Sequence, residues 1–400
     1  MNNFDNTKVS YILMNKDVEV LRLIYDTELH IATDFVEKIN TKFAPAGIID
    51  YKFGVSKSLF NDWWKNRAIP SSRNHIQPFL DTLSMNNSVE LLEKGYGLSL
   101  TDQYWLKEEG SSLEWKDINF FDNEFSADVG NVLFGSKDSK NIDLKSPDNS
   151  SDGNLQKKWK ILNKKRCLVK AGNLHNNQEP YNEVIASKLG GLILDHDDYV
   201  TYYLIEEDNK TFSCCETMIS TDTEFVAAHY IDKMIKTNRK ENNYDRYLYI
   251  CDLLNVPNPV LQIDKMIVFD YLLANYDRHW RNFGLIRDVN TLEWIKVAPL
   301  FDTGSSLWAV GFKEDVGISD NSKCFSATNT KQLDYINNLD WLNMDALQSF
   351  PDIVDNVLSQ NKNLDSVVID KIKKSVSNRI EVIREKQQEL FQSKETILKR

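Results

Sequence analysis

Within NYDRHWRNFG, residues 275–284, a carboxylate (Asp277), an imidazole (His279), a guanidinium (Arg281) and an amide (Asn282) share one short polar loop. Downstream, PLFDTGSSLW sets a further carboxylate, Asp302, among apolar and small residues. A hard divalent cation such as Mg²⁺ takes few protein oxygens and completes its shell with phosphate oxygens and water, so Asn282 and Asp302 suit it. Asp277 can accept the proton of a substrate hydroxyl as that hydroxyl attacks the γ-phosphate of ATP. Arg281 can neutralise phosphate charge that develops during transfer. A DxxxxN spacing arises often by chance in polar loops, and only the combination carries the reading. His279 stays open between a proton acceptor and a histidine hydrogen-bonded within its own loop.

These side chains need elements to bring them together. The run VLQIDKMIVFDYLLA reads as a helix that can line one face with Val260, Ile263, Ile267, Tyr271 and Ala274, and the polar loop follows it. FGLIR and TLEWIKV then flank the turn residues Asp288, Val289 and Asn290. As a hairpin, their open end brings Asn282 near the segment leading to Asp302. Phosphate transfer also calls for a cation on the α- and β-phosphates. RCLVK ends an apolar strand in Lys170, and the helix EPYNEVIASKL supplies Glu183 to orient it, with Pro180 near its start and Gly190 and Gly191 past its end. KKWKIL pairs with RCLVK around NKK, and YVTYYLI pairs with TFSCCE around EEDNK. Beyond Ser220 the pattern turns helical, ending in the charged stretch VVIDKIKKSVSNRIEVIREKQQELF, whose mixed charges read as a solvated face.

The whole chain of 400 residues is long enough for two or three packed domains, and 42% hydrophobic residues mark it as globular. Its 48 Lys and Arg against 59 Asp and Glu leave a net charge of -11, which disfavours broad binding to a phosphate backbone, so no direct nucleic-acid partner is expected. Five cysteines without a CxxC pair fit a reduced compartment, and the adjacent Cys214 and Cys215 read as a structural strand pair. The N-terminal residues lack the basic and apolar regions of a signal peptide, and no apolar run is of spanning length, so a soluble cytoplasmic protein without a membrane partner is expected.

Before this unit, SYILMNKDVEVLRLIYD reads as two strands around Asn15, Lys16 and Asp17, and Trp63, Trp64, Trp105 and Trp115 read as core. FGVSKSLFNDWWKNR alternatively has the form of a turn and recognition helix for DNA. The polar stretch 136–154 reads as a long loop or boundary. The division is therefore 1–135, a mixed N-terminal region; 136–220, a β-rich ATP-binding lobe; and 221–400, a helical catalytic lobe.

The strings KWKILNKKRCLVKAG, EPYNEVIASKLG, NYDRHWRNFG and PLFDTGSSLW together resemble the HipA-like serine/threonine kinases, a branch of the protein-kinase-like fold. DRHWRN also resembles the DRHxxN loop of phosphoinositide kinases. The likeness runs from about Gly153 to Trp308, and the Trp-rich N-terminal strings look like a variant of the same family. The resemblance implies an α+β, two-lobed fold in which Lys170 binds ATP phosphates, Asp277 is the catalytic aspartate, and Asn282 and Asp302 hold Mg²⁺. CCETMIS falls at the interlobe hinge, which makes Glu216 and Met218 candidates for adenine contact through backbone groups. Gly153 marks the phosphate-covering loop, which departs from G-x-G-x-x-G. Backbone amides of 151–154 can still cradle phosphate. Relatives can autophosphorylate a serine in this loop; Ser150 and Ser151 stand at the matching place, where added charge beside Asp148 and Asp152 would repel ATP. The expectation is an ATP- and Mg²⁺-dependent kinase acting on Ser or Thr hydroxyls of a protein, with autophosphorylation. An antitoxin or other regulatory protein is a possible partner, as for toxins of toxin–antitoxin pairs. The alternatives are a lipid or small-molecule kinase of the same fold and a catalytically silent nucleotide-binding interaction module.

Overall fold

The computed structural model describes residues 7–398 apart from 136–141, 152, 174, 236–241 and 312. The chain opens with β1 (Lys8–Asn15), β2 (Val18–Asp26) and β3 (Ile31–Lys38), joined by β4 (Tyr104–Glu108) into an antiparallel sheet of order β3-β2-β1-β4. The turn between β1 and β2 lies at Lys16, whose φ of 50° is left-handed. Between β3 and β4 runs the helix α1 (Lys57–Arg67), capped by the Ser56 hydroxyl on the Leu59 N–H. α1 buries Phe60, Trp63 and Trp64 rather than displaying them, and Trp105 and Trp115 are buried as well.

A second antiparallel sheet contains β5 (Lys157–Leu162), β6 (Lys165–Lys170), β7 (Tyr202–Glu207) and β8 (Lys210–Glu216) in the order β5-β6-β8-β7. Both tight turns are where the polar residues place them: Asn163 and Lys164, and Asp208 and Asn209, all have positive φ, as two-residue hairpin turns require. Between the hairpins lies α2 (Glu179–Ile193). It runs through Gly190 and Gly191 rather than stopping before them. The reason is packing: a Cβ on Gly190 would stand 2.6 Å from the Tyr199 ring, so the bare backbone lets the following segment cross the helix closely.

The region after Ser220 does not begin with a helix. β9 (Thr223–Ala227) pairs with β10 (Gly284–Asp288), which pairs with β11 (Trp294–Val297), all antiparallel. The strand was hidden because Glu224 points inward, against β pattern; opposite it, Arg287 neutralises the carboxylate at 2.6 Å. The remainder is largely helical. α3 (Pro259–Leu272) is buried nearly all round, including Asp264 and Asp270, whereas Val260, expected on the buried face, is exposed. α4 (Ser366–Leu398) docks on this core through Ile369, Ile372, Val376, Ile380 and Ile383. The result is a mixed α and β structure built on antiparallel sheets. Among the described residues no helix is long and apolar enough to cross a membrane.

Candidate active site

The end of β6 delivers Lys170 into the interior, beside α2 and the segment after β11. Its Nζ donates to Glu183 Oε1 and, at 2.5 Å, to Asp302 Oδ1. Glu183 turns its other oxygen to the Thr303 N–H at 2.9 Å and the Thr303 hydroxyl at 2.7 Å. One turn of α2 therefore clamps both the lysine and the residue after Asp302. Nearby residues extend the clamp: Asn182 donates to the carbonyls of Gly304 and Ser306 at 2.8 and 2.7 Å, and Gln178, just before the helix, donates to that of Leu307 at 2.9 Å.

This arrangement fixes the charge states. Burial works to lower the Lys170 pKa, but Asp302 and Glu183 outweigh it and hold the ammonium above its ordinary range. Burial likewise works to raise Asp302, but Lys170 and Lys157 hold it well below the usual carboxylate range. Lys157 stands directly across the hairpin from Lys170. Residue type alone does not mark Lys157, whereas counting back from the NKK turn gives that register.

The 275–284 loop is organised by Arg278, a residue whose role its local sequence does not reveal. Its side chain is wholly buried and pairs with both Asp270 oxygens at 2.9 Å. Its Nη1 also donates to the carbonyls of Asn282 and Phe301, each at 2.7 Å. Asn282 and the residue before Asp302 thus converge on one guanidinium nitrogen, which realises the expected hairpin closure. A second tie is the Tyr276 N–H to the Ser305 carbonyl at 3.3 Å.

Asn282 donates its Nδ2 to the Asp277 carbonyl at 3.0 Å. That bond fixes the amide, and its Oδ1 accepts no hydrogen bond among the described residues. One oriented amide oxygen and one strongly acidic carboxylate fit a small hard cation that keeps phosphate and water oxygens. No group of three or more Cys, His, Asp or Glu able to hold a metal occurs among the described residues. Asp277 is partly exposed, and its Oδ1 accepts from Lys323 Nζ at 2.6 Å. The His279 Nδ1 accepts the Arg281 N–H at 3.2 Å within the loop. Arg281 lies against Tyr230, 3.3 Å from its hydroxyl and 5.5 Å from the ring centre, and among the described residues it makes no hydrogen bond or ion pair with Asp277 or Asp302.

The phosphate-loop candidates are anchored from the N-terminal region. Gly153 has a φ of 90°, and its carbonyl accepts from Arg73 Nε at 3.0 Å and Nη2 at 2.8 Å. A Cβ there would meet Lys157 Nζ at 2.8 Å, so the loop lies beside the lysine that acts on Asp302. Asp152 lies outside the described residues. Ser151 is buried, donating to the Asp148 carbonyl at 2.8 Å and accepting from Arg73 Nη1 at 2.6 Å, while the half-buried Ser150 donates to the Pro147 carbonyl at 3.1 Å. Within the polar stretch expected to be a long loop or boundary, residues 146–151 form a short 3₁₀ turn (Pro147–Ser150) packed into the body. Its polar groups find partners inside: Asp148 accepts the Trp159 N–H at 2.7 Å, and Asn149 donates to the carbonyls of Leu91 and Leu144 at 2.9 and 2.7 Å. At the other end of the sheet, Glu216 pairs outward with Lys165 at 2.5 Å, and Met218 packs against the cluster containing Trp105 and Trp159.

Burial pushes the Asp148 carboxyl up to about 7 against the hydrogen bonds from Trp159 and Ser146. A raised folded pKa means that this group stabilises the fold fully below its unfolded pKa of ~4, and that the contribution is lost as pH rises toward 7. Asp148→Asn should therefore gain on the wild type between pH 4 and 7, by on the order of 2–4 kcal/mol, and hold a constant difference above. Urea unfolding of both proteins at pH 4.5, 6 and 8 measures it; parallel pH dependences would contradict the assignment.

No family profile matches the chain. Over 106 residues, 25% of its length, the chain is 38% identical to the serine/threonine-protein kinase CtkA of Helicobacter pylori (strain J99). The match spans 32% of that relative, so the chain spans about a third of the curated protein it resembles. The crystal structure of a Helicobacter pylori proinflammatory kinase CtkA aligns with a TM-score of 0.46 at 18% identity, over 60% of this chain and 95% of that one.

Proposed function

We propose that the chain is a kinase that transfers the γ-phosphate of ATP to Ser or Thr hydroxyls of a protein, its own included. The observation that carries the reading is the meeting of Lys170, Glu183 and Asp302 at one point, with Asn282 and Asp277 on a loop tied to the same segment. The partial relationship to a serine/threonine kinase supports it. In this reading the sheet of β5 to β8 with α2 forms one lobe and the helical body the other, with the connection at CCETMIS and the backbone groups of Glu216 and Met218 beside adenine.

Lys170, held by Glu183, binds the α- and β-phosphates. Asn282 and Asp302 would hold Mg²⁺, which when bound neutralises phosphate charge. The acceptor oxygen bonds to the γ-phosphorus as the bond to the β,γ-bridging oxygen breaks, the electron pair leaves with ADP, and Asp277 takes the hydroxyl proton. The HipA-like subtype, a phosphorylatable Ser150 or Ser151 and a restraining protein partner rest on the motif resemblance. Phosphate on Ser151 would require this buried serine to leave Asp148 and Arg73.

ADP release with ATP, Mg²⁺ and peptides presenting Ser or Thr tests the reading. Wild type should turn over, and Asp277→Ala should fall by about 10²- to 10⁴-fold while ATP still raises its melting temperature. Transfer to an inositol lipid with none to peptides would favour the small-molecule alternative, and ATP binding with no turnover the silent module.

A further inference from the structure

The loop that carries Asp277 contains two guanidinium groups, and neither faces the carboxylate. Arg278 is fully engaged with Asp270 and two carbonyls, and Arg281 lies on Tyr230. The cation at Asp277 comes from elsewhere in the chain: Lys323, in NSKCF, places its Nζ 2.6 Å from Asp277 Oδ1 and 5.6 Å from the centre of the Tyr276 ring.

Lys323 is not a loosely placed surface lysine. It sits on a turn closed by the Asn321–Thr328 antiparallel bridge and by the Ser322 N–H to the Ala327 carbonyl at 2.9 Å. The next two residues, Cys324 and Phe325, are buried. Phe325 packs edge-on against Trp280 at 5.8 Å, and the Trp280 indole N–H donates to the Cys324 carbonyl at 3.3 Å. Asn329 bonds the carbonyls of both Asn275 and Asn321, at 3.0 and 3.2 Å. The turn is therefore bolted to the Asp277 loop on both sides, which gives Trp280 a role that its motif position alone does not reveal.

With Lys323 itself 56% exposed, the ion pair adds little to stability, so folding alone does not account for a lysine held at this carboxylate. We propose that Lys323 is the catalytic cation of the phosphotransfer site: it orients the Asp277 carboxylate and balances the negative charge carried by the γ-phosphoryl oxygens during transfer. The inference rests on the kinase reading. No bond is made or broken at Lys323; the hydroxyl proton passes to Asp277 and the leaving electron pair goes with ADP.

The test uses the full chain with ATP and Mg²⁺. Lys323→Met should lower kcat by about 10- to 100-fold with the KM for ATP changed by less than about threefold, because the lost interaction is strongest where charge develops. Lys323→Cys should show the same loss, and alkylation with 2-bromoethylamine, which restores an ammonium at similar reach, should recover most of it; all five native cysteines are buried. Wild type treated identically is the control. Variants as fast as wild type, or an alkylated Lys323→Cys protein that stays slow, would overturn the role. Variants faster than wild type would also overturn it and make the pair a brake on Asp277. A wild type that transfers no phosphate would instead remove the kinase reading itself.

Discussion

Lys170→Met should lower kcat/KM for phosphate transfer by on the order of 10²- to 10³-fold. Two losses combine. The variant loses the charge that would meet the ATP phosphates, and it leaves Glu183 and Asp302 facing each other without their shared cation. Glu183 is almost wholly buried, so its carboxylate would sit uncompensated in the interior, where an orphaned charge costs about 3–5 kcal/mol. The variant should therefore melt earlier as well as turn over more slowly. Glu183→Gln separates the two effects: it keeps the lysine and an acceptor, so activity should fall less and stability should largely persist. Steady-state kinetics with melting curves for both variants provide the measurement. Equal activity of Lys170→Met and wild type would show that the lysine has no part in turnover.

The second large effect is structural. Arg278→Met should cost about 3–5 kcal/mol of stability, because Asp270 would stay buried without its guanidinium and the carbonyls of Asn282 and Phe301 would lose their donor. Burial works to lower the Arg278 pKa, and Asp270 outweighs it, so the guanidinium stays charged at any working pH. Asp270→Asn combined with Arg278→Met should recover part of the loss, since the uncompensated charge is then gone. Urea unfolding of the single and double variants reads this. A loss below about 1 kcal/mol in the single variant would mean that the pair does not organise the loop.

The parts of this site that were legible in the sequence share a local signature. Lys170 ends a strand whose turn is marked by Asn163 and Lys164, Glu183 lies on a helix with Pro180 at its start, and the FGLIR hairpin is bounded by Asp288 and Asn290; each could be read within a short window. What was hidden depends on partners distant in the chain. Glu224 made β9 look unlike a strand until Arg287 opposite it is known. Gly190 looked like a helix stop because Tyr199, which needs the space, is outside the helix. The stretch around Asp148 reads as a loop or boundary because its hydrogen-bond partners, Trp159 and Leu91 among them, belong to other elements. Arg278 and Lys323 are of the same kind: an arginine and a lysine in polar strings, whose roles appear only when Asp270, Phe301 and Asp277 are beside them.

The most direct measurement is the intact mass of the purified chain before and after incubation with ATP and Mg²⁺, with Asp277→Ala treated in parallel. The wild type should gain one or more phosphates on serine or threonine, and the variant none. Unchanged mass of the wild type, together with no ADP release in the presence of Ser and Thr peptides, would contradict it.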